Sequence, residues 1–256
     1  MAQDDATQAF LDSLPEVKPG ESFRFACHPG VKCFNACCGD LTLMLTPFDV
    51  MRLRRNLALS SREFLASLAD VSVAPDTGFP LLRLRMTDAP GKPCPFVRRE
   101  GCSVYPDRPG ACRTYPIGRA SRLDAEGGII EQFFLVREPH CKGFDEDKDW
   151  TPGEWLSDQG LKIYNAANDR YVRLLARQKK SGAAIDHKKA TMVLMALYQL
   201  DNFRSFVKDM GLFKRLDVDA ERQEKVLAED EAALDFALDW VELALFGDAE
   251  GLSRKG

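Results

Sequence analysis

Eight cysteines, Cys27, Cys33, Cys37, Cys38, Cys94, Cys102, Cys112 and Cys141, constrain this chain more than any other feature. They occupy a 115-residue window, and neither the first 26 residues nor the last 115 contain another. A cysteine kept only as a small buried hydrophobe scatters along a chain, so the clustering calls for another cause. Three causes are open: a disulfide framework, a metal or cluster site, and redox catalysis. Disulfides need an oxidising compartment. Residues 1–15 are acidic and show neither a basic n-region nor a long apolar run, so no secretory signal is expected and a cytoplasmic location follows. At 256 residues the chain can bury a core without covalent staples. Metal ligation is the reading this distribution favours.

Composition narrows the field further. With 45% apolar and 29% charged residues and a net charge of −4, the chain is not disordered, collagen-like or coiled-coil. The longest stretch free of Asp, Glu, Lys and Arg is the eleven residues Ala190–Leu200, against roughly 20 for a spanning helix. No membrane partner is expected.

Local patterns give the order of elements. Asp4–Leu14 reads as a short helix, and Phe23–Cys27 and Leu41–Leu45 as short strands. Thr46-Pro47-Phe48-Asp49 starts a helix with an N-cap, a first-turn proline and an acid against the positive dipole end. Val50, Leu53 and Leu57 supply its stripe. Ser60-x-x-Glu63 is a capping box opening a second helix with Phe64, Leu65 and Leu68. The pair could be a helix-turn-helix, but nothing marks a recognition helix, so a packed helical hairpin is expected. Leu81–Met86 alternates as a strand, and Ile117–Leu123 and Ile129–Val136 form a hairpin through Asp124–Gly128. Asp145–Asp149 reads as an acidic linker. Beyond Thr151-Pro152 long helices are expected over Gln159–Lys180, Lys188–Met210 and Ala220–Phe246, with Leu227, Leu234, Leu238, Val241 and Leu245 on one face of the last.

The expected fold class is α+β: an N-terminal extension over 1–22, a loop-rich cysteine-cluster domain over 23–148 and a helical domain over 149–256. In the helical part, residues 162–189 carry eight basic and two acidic groups, and residues 217–250 two basic and twelve acidic. Helices steering against each other account for these blocks; a protein partner on the helices is the other reading.

Spacing divides the cysteines into two runs, Cys-x5-Cys-x3-Cys-Cys and Cys-x7-Cys-x9-Cys-x28-Cys. Zinc and iron–sulfur centres both use thiolates, usually four, so eight allow two sites or one cluster with spare thiols. The adjacent Cys37 and Cys38 would point to opposite sides of an extended backbone and so serve different sites. Neither run shows the tight Cys-x2-Cys pairs of zinc ribbons, and the proline-rich loops around Cys94, Cys102 and Cys112 fit an iron–sulfur cluster slightly better; zinc stays open.

Charge adds an independent argument. Residues 92–122 hold Lys92, Arg98, Arg99, Arg108, Arg113, Arg119 and Arg122 against Glu100 and Asp107, a net of +5 within an acidic chain. Cations stabilise an anionic thiolate centre. A nucleic-acid patch would bring more interleaved aromatics, and no nucleic-acid partner is expected. His28 and His140 each adjoin a cysteine but, with eight thiols available, are expected to be bystanders. No phosphate loop, Ser-His-Asp order, zincin motif or dinucleotide fingerprint is present.

At these residues the sequence resembles the CxxCxxCC, or YkgJ-like, cysteine-cluster family, a zinc- or iron-chelating domain. The resemblance rests on Cys33-Phe-Asn-Ala-Cys37-Cys38-Gly39, Pro93-Cys94-Pro95-Phe96, the string Cys102-Ser-Val-Tyr105 through Arg108-Pro109 to Cys112-Arg113-Thr-Tyr115-Pro116, and Cys141-Lys-Gly143. It spans roughly residues 23–145 and implies that all eight cysteines are metal ligands. The opening Cys-x5-Cys-x3-Cys-Cys departs from the spacing in the family name. Flagellin lysine N-methylases, which carry an iron–sulfur centre, are remote members, so the resemblance admits an enzyme; no methyl-donor site can be named in this chain. Two functions follow: a structural metal domain with partner-binding helices, and a redox-active or enzyme-supporting centre.

Overall fold

Thr46, Ser60 and Thr151 each open a helix through a reciprocal capping box. The Thr46 hydroxyl accepts from the Asp49 N–H at 3.2 Å while the Asp49 carboxylate accepts from the Thr46 N–H at 2.9 Å. Ser60 with Glu63 and Thr151 with Glu154 repeat the arrangement. Each box satisfies amides that the first helical turn leaves unpaired. The helices they open are Pro47–Leu57, Ser61–Leu68 and Pro152–Asp158.

The computed structural model describes residues 15–124, 127–182 and 184–255. The helix expected over Asp4–Leu14 lies outside the described residues. The architecture is α+β, with short antiparallel strands around the cysteines and helices dominating the C-terminal part. No helix among the described residues is long and apolar enough to cross a membrane.

Two compact units interleave along the chain: Met1–Leu41 with Met86–Asp169, and Thr42–Arg85 with Arg170–Gly256. This division by packing cuts the chain at other places than the linear division at residues 22 and 148. Residues 42–85 pack with the C-terminal helices, and the acidic stretch before Trp150 belongs to the first unit, where Asp149–Trp150 pairs with Phe23–Arg24. Asp145–Asp149 is thus partly strand rather than linker.

In the first unit the expected hairpin forms with Ile117 opposite Leu135 and Leu123 opposite Ile129. Its inward residues meet an aromatic core of Val17, Phe23, Phe25, Ile117, Phe133, Leu135 and Trp155. Phe25 sits edge-on to Tyr115, Phe144 and Trp155 with centroids 5.3–5.8 Å apart. Trp155 donates its indole N–H to the Thr114 carbonyl at 3.0 Å, so even the largest ring is fully satisfied.

The second unit holds a three-stranded sheet with Pro80–Leu84 between Met44–Leu45 and Ala69–Val73. The alternation of the central strand works as expected: Leu82 and Leu84 are buried, while Arg83 and Arg85 both reach Asp70 outside. The strand Ala69–Val73 has no clear alternation, and sequence pattern alone misses it. The two capped helices are not a recognition pair. Pro47–Leu57 packs on the helices His187–Tyr198 and Asp230–Phe246, and Ser61–Leu68 on Leu200–Asp209.

Two of the three long helices differ from expectation. Lys188–Met210 is broken at Gln199 (φ −129°, ψ 62°) and Ala220–Phe246 at Glu229 (φ −113°, ψ 132°). Neither break carries glycine or proline; in both, tertiary packing overrides a continuous helical pattern. Leu234, Leu238 and Val241 still face inward as expected. The opposed charge blocks meet directly: Arg170 pairs with Asp235 and Asp239, and Arg177 with Glu242 and Asp248.

Candidate metal centre

All eight cysteines lie in the first unit as free thiols. The loop from Cys27 to Cys38 is a chain of tight turns, with Val31, Phe34, Ala36 and Cys38 each donating an N–H to the carbonyl three residues back at 2.8–3.0 Å. Asn35 takes a positive φ of 67° as the third residue of the turn closed by the Ala36 N–H on the Cys33 carbonyl. The backbone at Cys37-Cys38 is therefore coiled, not extended, and the two sulfurs remain within hydrogen-bonding reach of each other.

Long-range backbone contacts decide which sulfurs are neighbours. The Cys94 N–H donates to the Cys38 carbonyl at 2.7 Å, and Gly39 bridges Pro93 beside it. Val97 then pairs with Cys102 in a two-residue ladder. At the other end, the Lys142 N–H donates to the Cys33 sulfur at 3.0 Å and the Ala26 N–H to the Gly143 carbonyl at 3.0 Å, which carries Cys141 to Cys27 and Cys33. Gly143 is required here: a Cβ would lie 2.6 Å from both the Ala26 carbonyl and the Phe25 ring.

Two neighbourhoods result. Cys27 feels the charges of Cys37, Cys33 and Cys141; Cys38 feels Cys37, Cys94 and Cys112; Cys94 feels Cys102. Relative to the two runs in sequence, Cys38 and Cys141 have exchanged places. Among the described residues no three His, Cys, Asp or Glu side chains stand within joint reach of one ion. The eight sulfurs are thus neighbours in two sets without forming a coordination polyhedron.

Electrostatics distinguish the members. Burial, then neighbouring sulfurs, pushes the Cys27 thiol up to about 11. Within the adjacent pair the hydrogen bond from Cys38 lowers Cys37 to about 6 and raises Cys38 in return, so the pair holds one ready thiolate. Burial raises Cys94 too, opposed by the nearby backbone amides of Phe96 and Val97, the second of which donates to the Cys94 carbonyl at 3.1 Å. Amides pointing at thiolates stabilise their negative charge, as they do in zinc and iron–sulfur centres. The donor set fits a thiophilic metal.

The two cysteine-adjacent histidines differ. His28 accepts the Gly30 N–H at Nδ1 (3.2 Å) and meets Glu146 at Nε2 (3.3 Å), whereas His140 is within electrostatic reach of Cys37. Of the seven cations in 92–122, Lys92 pairs with Asp40, Arg98 caps the Pro95 and Val97 carbonyls, and Arg119 pairs with Asp169 and Glu131. Arg108 does lie in the field of Cys102 and Cys112.

Two residues near the sulfurs escape sequence reasoning. Tyr115, read only as part of a motif string, packs on the aromatic core, and burial followed by the Cys141 sulfur pushes its hydroxyl well above the ordinary phenol range. Gln159 has no sequence signal at all, yet it receives both Arg108 and Arg113.

Residues 26–142 match the model of a family described as "CxxCxxCC: Putative zinc- or iron-chelating domain". The match covers 117 of the 256 residues, and over that segment the chain is similar to the CxxCxxCC family. The match encloses all eight cysteines and the hairpin, and ends within one residue of the last thiol. No curated protein and no solved structure matches the chain. The matched family's description supports metal binding by this segment, with zinc and iron both within it.

Proposed function

We propose that the CxxCxxCC-like segment holds an iron–sulfur centre through the thiolates of Cys27, Cys33, Cys37, Cys38, Cys94, Cys102, Cys112 and Cys141. The supporting observation is the set of long-range contacts that carry Cys141 to Cys27 and Cys33, and Cys94, laddered to Cys102 through Val97, to Cys38. Charge interactions add Cys37 to the first group and Cys112 to the second. Four thiolates is the common complement of one centre. The Lys142 amide on the Cys33 sulfur suits a thiolate centre of either kind, and in an iron–sulfur centre such a bond tunes the potential.

A bound iron–sulfur centre would supply one-electron transfer. The chain's own residues hold and shield it. The aromatic core around Phe25 and Trp155 backs Cys141, Tyr115 covers the same sulfur, and the Lys142 amide fixes Cys33. Such packing excludes water from one side of the thiolates and leaves Cys27 and Cys112 exposed on the other.

The test is anaerobic purification of the full chain, elemental and acid-labile sulfide analysis, and a visible spectrum. Iron with sulfide and an absorption band that bleaches with dithionite support the proposal. Colourless protein with stoichiometric zinc replaces it with a structural zinc domain, whose unfolding on chelation is the corroborating sign. Less than one equivalent of iron plus zinc per chain overturns metal binding at these thiols.

A further inference from the structure

Arg108 and Arg113 are both only 8% exposed. Buried guanidinium groups ordinarily face carboxylates, as Arg119 does with Asp169 and Glu131 in the same unit. Here every donor contact goes to an uncharged oxygen. Arg108 reaches the Tyr105 carbonyl (2.9 Å) and the Gln159 side-chain oxygen; Arg113 reaches the carbonyls of Arg108 (3.0 Å), Gln159 (2.8 Å) and Pro106. Among the described residues neither forms an ion pair with a carboxylate. Each is also stacked on a ring, Arg108 on Tyr105 at 3.7 Å and Arg113 on Tyr164 at 4.6 Å.

Two like charges held together in a poor dielectric repel and cost desolvation. The fold nevertheless fixes both with hydrogen bonds and stacking. The compensating charge must come from another source; after the stacked Tyr105, the groups that favour the Arg108 charge are the sulfurs of Cys112 and Cys102, and Cys112 is the chain neighbour of Arg113. Arg108 in turn acts on Cys27. A four-thiolate zinc or iron–sulfur centre is a buried anion, the missing partner of such a pair.

We infer that Arg108 and Arg113 are the built-in counter-cations of the metal–thiolate centre, clamped by Gln159, Tyr105 and Tyr164, with the Arg108 charge on the Cys102/Cys112 side and Arg113 directly following Cys112 in the chain. This rests on the metal-binding reading above. Both are positioning residues: they contribute charge, not ligands.

Zinc is the probe. Full-length protein loaded with Zn2+ is titrated with a chromophoric chelator for the unsubstituted chain, Arg108→Gln, Arg113→Gln and Arg108→Lys, with circular dichroism checking each fold. Each glutamine variant is expected to weaken zinc retention by about tenfold or more, the scale of outer-shell losses. Arg108→Lys keeps the charge while losing the planar stack, and is expected to retain most of the affinity. Unchanged zinc retention in both glutamine variants overturns the inference. So does Arg108→Lys as damaging as Arg108→Gln, which assigns a packing strut, or failure of both glutamine variants to fold. An unsubstituted chain that binds no zinc and carries no iron removes the underlying reading, and this inference falls with it; that result is separate from all the others.

Discussion

The backbone N–H of Cys94 donates to the carbonyl of Cys38 across 2.7 Å, joining residues 56 positions apart. That single hydrogen bond, with the Gly39–Pro93 bridge beside it, moves Cys38 out of the run of cysteines in which it sits and into the company of Cys94, Cys102 and Cys112. The Lys142 amide on the Cys33 sulfur does the reverse for Cys141. Grouping by space and grouping by sequence therefore make different predictions.

Serine substitutions separate the two groupings. Cys38→Ser is expected to remove the same share of bound metal as Cys94→Ser, and combining them is expected to remove no more. Cys141→Ser is expected to behave as Cys27→Ser does. The cross combination, Cys38→Ser with Cys141→Ser, empties both sets. Metal content per chain by elemental analysis reads this directly. If Cys38→Ser instead pairs with Cys27→Ser, the grouping along the sequence is the correct one.

Gly143→Ala tests how tightly the Cys141 turn is held. The new Cβ would press on the Ala26 carbonyl and the Phe25 ring at 2.6 Å, and neither can swing aside. Overpacking of this kind costs about 1–3 kcal/mol. A thermal melt is expected to fall by several degrees, with weaker metal retention because Cys27 and Cys141 flank the displaced contact. An unchanged melt shows that the turn gives way freely.

The second unit contains a pH-dependent pair. The hydroxyls of Tyr171 and Tyr198 meet at 3.2 Å in the interior. Burial pushes Tyr171 up to about 12 and Tyr198 well above the ordinary value of 10.0, with Asp49 adding to the latter. Both folded-state values exceed those of the unfolded chain. Their contribution is therefore complete below pH 10 and drains away as pH rises through the folded values. The loss is about 1.4 kcal/mol per pH unit per tyrosine once the unfolded form titrates. Urea midpoints at pH 9, 10 and 11 are expected to fall, and to fall less steeply in Tyr198→Phe. Equal slopes in the two proteins refute the assignment.

What the sequence discloses divides along physical lines. The helix starts at Thr46 and Ser60 and the Ile117–Leu135 hairpin are set by residues a few positions apart and are read from local pattern, whereas the equally local box at Thr151 and its helix Pro152–Asp158 are missed. The breaks at Gln199 and Glu229 lie in unbroken helical pattern, and no glycine or proline marks them in the sequence. The eight thiols and the family were legible from residue type and spacing alone. Their spatial grouping was not, since it depends on hydrogen bonds spanning 56 and 109 positions, from Cys94 to Cys38 and from Lys142 to Cys33. The cationic segment was legible as charge, yet Lys92 and Arg119 pair with carboxylates and Arg98 caps carbonyls, and only the fold reveals that Arg108 and Arg113 are buried, among the described residues, without a carboxylate partner.

Asp239 provides the strongest stability test. It is 2% exposed and receives both Arg170 and Arg222, while Arg222 also donates to the Gly251 carbonyl at 2.6 Å. A Cβ on Gly251 would fall within 2.5–2.7 Å of the carboxylate, so the segment leading to the Ser253–Arg254 strand closes directly over the buried charge. Removing one member of a buried ionic cluster strands the others, at about 3–5 kcal/mol. Asp239→Ala is expected to cost that much in urea unfolding, and Gly251→Ala a smaller amount through the clash. The two losses share one origin, because the alanine at 239 vacates the space the new methyl needs. In the double variant the sum is therefore expected to exceed the measured loss by about 0.5–3 kcal/mol, the coupling typical of residues in contact. Strict additivity would mean that Gly251 is held by something other than the Asp239 carboxylate.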